Sequence, residues 1–130
     1  MKHVRFSDVL LEDVNVDGAK NAKIRWLISN KDGAERFSMR MFEVAPEGNT
    51  PYHIHDFEHE IFVLDGQGML VTENGESPMK PWDVIYVDPN LMHQFKNTGD
   101  KPLIFLCSIP NEVKKVPKRN PFGGGKVNNC

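Results

Sequence analysis

The sequence has almost no cysteine: Cys107 and Cys130 are the only two, and one of them is the last residue. That excludes a disulfide framework and makes a reducing cytoplasm the expected compartment. It also lacks any apolar run of transmembrane length. The opening MKHVRFSDVLLEDV has neither a long apolar stretch nor a small-residue cleavage site, so no signal peptide is expected. Charge of one sign is absent too. The formal net charge is −2, which argues against a general nucleic-acid or membrane-surface binder. No segment sustains a helical period, and no block repeats. With 130 residues, 39% of them hydrophobic, the chain can bury one real core but has little room for a second.

What recurs is a short apolar or alternating run followed by a turn. Runs at 23–28, 37–44, 60–64, 69–72, 84–87 and 103–109 end in Gly, Pro, Asn or Asp. Asn74-Gly75 reads as a hairpin turn, since both positions favour positive φ. Many short strands at this spacing predict an all-β sandwich or barrel rather than a βαβ fold. Residues 6–14 read equally as a turn of helix or a strand. From Asn111 onward, five Lys or Arg against one Glu lead into Pro-Phe-Gly-Gly-Gly, so 111–130 is expected to be a mobile basic tail. Such a tail is best taken as solvated and without function.

Five histidines stand out against this background. Three lie within seven residues, as His53-Ile-His55-Asp-Phe-Glu-His59, and His93 follows Pro89-Asn90. His3, at the terminus, is set aside. Neutral imidazole is a good donor to divalent metals at neutral pH. In an extended chain, alternate side chains share a face. A continuous extended path would aim His53, His55 and His59 one way and Glu58 and Glu60 the other. A lone buried histidine is usually a hydrogen-bonded core residue. Three on one face plus a distant fourth predict a metal site instead.

These residues resemble the cupin superfamily. Its first motif has the form G-x5-H-x-H-x3 or x4-E-x6-G, and its second G-x5-P-x-G-x2-H-x3-N. His53 and His55 supply the H-x-H. His59 then stands where most cupins have glutamate, with Gly66 correctly spaced behind it. His93 is followed by Asn97 at the motif spacing. Trp82 and Asn90 occupy the positions of the two glycines, Pro89 is one place late, and Gly48 is one place close to His53. Over residues 23–110 the chain is similar to small single-domain manganese cupins with four histidine ligands. The resemblance implies a double-stranded β-helix (jelly roll) spanning 1–110, with a patterned core at 37–110. It also implies a homodimer and one octahedral Mn(II) with two cis positions open. Fe(II) ranks next, then Ni or Zn.

Ile61, Val63 and Phe105 are candidates for an apolar lining by alternation. Such a centre suits an oxygenase or other oxidoreductase acting on a small, anionic organic substrate. The other readings are a metal-dependent binding or sensing module without turnover, and a purely structural metal, which is disfavoured. Cys107 reads either as a core hydrophobe or as a pocket wall beside the metal. Arg40, if it shares the inward face with Phe42 and Val44, is a buried cation able to pin a carboxylate substrate. If Met39 and Met41 face inward instead, it is a surface charge. Tyr52, Trp26 and Trp82 read as packing or interface residues. No catalytic base is assigned.

Overall fold

The computed structural model describes residues 1–111, so the expected tail beyond Asn111 lies outside the described residues. Nine antiparallel strands are present among them: β1 (Glu12–Asp13), β2 (Lys20–Ile28), β3 (Phe37–Asn49), β4 (His59–Asp65), β5 (Gly68–Thr72), β6 (Gly75–Met79), β7 (Val84–Val87), β8 (His93–Asn97) and β9 (Leu103–Pro110). The strands run in the order β6-β5-β8-β3-β9-β4-β7, with β2 on the far edge of β3 and β1 beyond it. Such an order, with sequence-distant strands adjacent, belongs to a sheet curled into a jelly roll, the expected architecture. No helix among the described residues is long and apolar enough to cross a membrane.

Period-two burial sets the register. Along β3 the even positions Ser38, Arg40, Phe42 and Val44 are buried, which settles which face Arg40 takes. On β9 the odd positions Leu103, Phe105, Cys107 and Ile109 are buried. Pairing of β3 with β9 sets Arg40 opposite Cys107 and Phe42 opposite Phe105. On the other side of β9, Cys107 faces Ile61 of β4. Phe42 and Phe105 stack at 5.2 Å between centroids, and Phe95 meets Phe105 at 5.0 Å. Each ring buried this way contributes about 1.5–3 kcal/mol against exposure to water. A sheet slipped by one residue would turn all of them outward.

The turns depart from the expectations in detail. The hairpin at 72–75 forms, but Thr72 pairs with Gly75, so its loop is Glu73-Asn74 rather than Asn74-Gly75. Only Gly75 of these has positive φ. Strands β6 and β8 carry too little apolar alternation to show in the sequence; their pairing with β5 forms them. Residues 6–14 divide between the two readings, with a short 3-10 turn at Phe6–Asp8 and the two-residue β1.

Candidate metal centre

The segment carrying the histidines is positioned by a backbone ladder. Thr50 N donates to Phe95 O at 2.9 Å, and Phe95 N returns the bond to Thr50 Oγ1 at 2.9 Å. His53 and His93 exchange both backbone bonds, at 3.1 and 3.0 Å. Asn90 N donates to His55 O at 2.8 Å. Residues 50–55 thus lie antiparallel to 90–95, which brings two distant parts of the sequence to one place. The path is not the continuous strand that parity assumed. It bends at Asp56 and Phe57 before β4 begins at His59. Even so, His59 is buried and Glu60 exposed, as alternation requires.

The turns that aim this ladder use left-handed backbone without glycine. Glu47 has φ +68°, Trp82 +77° and Asn90 +62°. Trp82 and Asn90 are the two residues standing at glycine positions of the second motif. Glu47 is six residues before His53, where the first motif has its glycine. The glycine conformations are kept although the glycines are not.

His53, His55 and His93 place a ring nitrogen each within 4.8 Å of one another, so one ion could be held by all three. His59 brings Nε2 to 3.1 Å from His55 Nε2. Its ring centroid lies 4.9 Å from that of His93 and 4.8 Å from that of His55. Imidazole nitrogens bound about 2.1 Å from one ion stand about 3–4 Å apart. The outward nitrogens are engaged. His55 Nδ1 meets Phe57 O at 2.9 Å, and His93 Nδ1 meets Leu91 O at 2.8 Å. A carbonyl can only accept, so these rings carry the proton on Nδ1 and a lone pair on Nε2. His93 Nε2 is buried with no hydrogen-bond partner, a cost of about 1–3 kcal/mol in a closed core. A bound cation would remove that cost, so the donor set fits a divalent metal.

Burial keeps the His59 and His93 rings neutral. Burial, followed by the charge of Arg40, drives the His59 pKa far below its ordinary value. Burial also lowers that of His93, opposed by its bond to Leu91. Neutral imidazole is the form that binds metal. Burial pushes the Cys107 thiol up, with Arg40 opposing.

Sequence reasoning took Phe105 as apolar lining and left Cys107 open between a core hydrophobe and a wall beside the site. Cys107 is there, with Sγ 3.0 Å from His59 Nδ1. Phe105 stands one layer back, behind Phe95, which itself meets His59 and His93 at 6.2 and 5.8 Å. Phe57 stacks on His55 at 3.9 Å. Phe57 and Phe95 were missed; the signal for Phe95 was its matching parity two residues after His93. Arg40 is 0% exposed and lies behind His59, not in the open. Its guanidinium sits over the rings of Trp26 at 5.4 Å and Phe42 at 5.0 Å. Its Nη2 donates to Cys107 Sγ at 2.9 Å and lies 3.3 Å from His59 Nδ1. Trp26 therefore packs, as expected, while Tyr52 and Trp82 are exposed.

Known proteins are similar to this chain in fold and sequence. The polyketide cyclase RemF from Streptomyces resistomycificus superposes with a TM-score of 0.82 at 38% identity, covering 86% of this chain and 80% of that one. An oxalate-binding protein from Thermotoga maritima is 31% identical over 111 residues, 82% of this chain and 91% of that protein. A glucose-6-phosphate isomerase from Thermococcus litoralis is 36% identical over 95 residues, 64% of this chain and 50% of that protein. The chain spans about half the length of several of its curated relatives. The cupin-domain model matches residues 40–109, which take in all four clustered histidines and the strands that carry them. With the jelly-roll topology and this match over more than half its length, the chain belongs to the cupin family.

Proposed function

We propose that this chain is a metal-dependent cupin enzyme. In this reading His53, His55, His59 and His93 hold one divalent cation, Mn(II) first and Fe(II) second, and the substrate is a small oxygen-bearing organic anion. The observation that carries the reading is the convergence of four imidazoles on one place, two of them buried and held neutral, with His93 Nε2 aimed into it unpartnered. Neutral ligands cancel none of the ion's charge, so the site keeps about +2 until an anion arrives. When bound, a divalent cation would polarise a substrate oxygen, and Mn or Fe would add a redox change. The protein's own part is to hold the four rings, to exclude water with Phe57 and Phe95, and to keep carboxylates such as Glu60 off the ligand face.

A polyketide, a sugar phosphate and oxalate, the compounds in the relatives' names, all carry oxygens on closely spaced carbons. Two of the three are acted on through carbonyl chemistry. That supports proton transfer beside a polarised carbonyl as the first reaction class. Oxidative turnover, the sequence-based expectation, is the second reading, supported by an all-imidazole donor set that suits a redox-active ion. The test is to load the protein with Mn(II) and separately with Zn(II), and supply small 2-oxo acids and diketones in deuterated water. Deuterium exchange at the carbon beside the carbonyl with both metals supports the first reading. Oxygen uptake with Mn(II) alone supports the second, since Zn has no accessible redox change. Tight binding of oxalate with neither reaction would make the protein a binding module and overturn both.

A further inference from the structure

The rings of the cluster differ in what stands behind them. Behind His55 and His93 it is a backbone carbonyl, Phe57 O or Leu91 O, which fixes the proton on Nδ1. Behind His59, among the described residues, no carbonyl accepts from the ring. Among the described residues its Nδ1 meets two groups, Cys107 Sγ at 3.0 Å and Arg40 Nη2 at 3.3 Å. A guanidinium has donors and no acceptor. Left alone with Arg40, His59 would turn a lone pair to it and carry its proton on Nε2, the nitrogen that points at His55. That form offers a cation nothing. Of these two groups the sulfur is the one that can accept a hydrogen bond from a proton held on Nδ1.

Cys107 is itself fixed. Arg40 Nη2 donates to its Sγ at 2.9 Å and Arg40 Nε to its backbone O at 3.4 Å, so one guanidinium clasps both ends of the residue. The clasp follows from the sheet, because Arg40 and Cys107 are register partners between β3 and β9. Trp26 and Phe42 flank the guanidinium.

We infer that Cys107, clasped by Arg40, is the positioning residue of His59: its sulfur accepts the Nδ1 proton and so presents the Nε2 lone pair to the metal. This rests on the reading of His59 as the fourth ligand. A ligand's outer hydrogen-bond partner sets both its tautomer and its orientation, and losing one typically costs 10- to 100-fold in metal affinity.

The experiment uses the full chain and two probes, Mn(II) titration and long-range proton–nitrogen spectra of the Zn(II)-loaded protein. Cys107→Val keeps the volume and removes the acceptor; Cys107→Ser restores one. The expectation is that Val weakens Mn(II) binding about 10- to 100-fold. Its His59 signals should lose the Nδ1-protonated pattern, while Ser should recover that pattern and most of the affinity. Melting curves recorded alongside separate affinity from folding. If Val binds Mn(II) as tightly as the parent while His59→Ala is weakened, Cys107 does not position His59 and this inference alone falls. If His59→Ala also binds as tightly as the parent, His59 is no ligand and the inference falls together with the four-histidine reading.

Discussion

At the scale of single residues, the histidines divide by their surroundings. His3 is exposed at the terminus, while His53, His55, His59 and His93 come together, the first two half-buried and the last two buried. His55→Ala or His93→Ala should reduce Mn(II) affinity by about 100-fold or more, since each removes a whole ligand rather than its support. His3→Ala and Glu60→Gln should leave it within about twofold, Glu60 being turned to solvent. Calorimetric titration of each variant checks the set. The buried neutral rings also set a pH dependence in metal-free protein. His59 and His93 have pKa values lowered on folding, so below the ordinary histidine pKa of about 6.5 the unfolded chain binds protons that the folded chain refuses. Stability is therefore highest above that pKa and falls as pH drops below it, by about 1.4 kcal/mol per pH unit for His59 alone. Urea midpoints at pH 7.5 and 5.5 test the sign. A midpoint that rises on acidification would mean the rings are charged in the folded state.

At the scale of elements, the turns decide where the strands aim. Glu47, Trp82 and Asn90 hold left-handed conformations that cost a residue with Cβ about 1–2 kcal/mol. Glycine removes that cost and adds back about 0.5–1 kcal/mol of unfolded-chain entropy. Glu47→Gly should thus stabilise the protein by about 0.5–1 kcal/mol, read as a raised denaturation midpoint with an unchanged slope. Asn90→Gly should gain less, because Asn tolerates this conformation better. Trp82→Gly gives up the contact with Phe62 at 5.9 Å and should gain nothing. Gly66 runs the other way. It has φ +84°, and a Cβ there would stand 2.3 Å from Pro102 O. Gly66→Ala should cost about 3 kcal/mol or more, as strain and a backbone clash combine. Asn97 explains why its motif position matters: its side-chain amide donates to Val44 O and Lys101 O, and its oxygen accepts from Gly99 N, which ties β8 to β3 and closes the following turn.

At the scale of the molecule, one face of the curled sheet is filled by the core and the site. The outer face of β4, β7 and β9 remains open. It carries Val84 at 77% and Tyr86 at 59% exposure, beside a groove of about 460 Å³ lined by Met39, Phe62 and Leu106. Apolar surface gathered this way marks an interaction site more often than scattered apolar residues do. The homodimer expected from the family resemblance is proposed to use this face, since an isologous interface needs one self-complementary patch. Light scattering at micromolar concentration should return twice the chain mass. Tyr86→Glu should return a monomer with metal affinity intact. A parent that scatters as a monomer removes the proposal.

The sequence by itself determined the all-β class, the histidine cluster and the inward face of β4 and β9. Each of these is written in a local period of two or a fixed motif spacing, and local patterns need no partner to be read. It also marked Trp82 and Asn90 as substitutes for glycine, because their spacing to His93 and Asn97 matches the motif. Only the tertiary structure decided the rest. The face taken by Arg40 was ambiguous in a strand where both Met and Phe alternate, and pairing with β9 settled it. The bend at Asp56 and Phe57 interrupts the extended path between His55 and His59, so their convergence comes from the ladder between 50–55 and 90–95 on one side and the pairing of β4 with β7 and β9 on the other. Strands β6 and β8 form through cross-strand hydrogen bonds that composition does not encode. The contact of Cys107 with both Arg40 and His59 joins three strands, and a chain read one residue at a time cannot register a contact that exists only when those strands lie side by side.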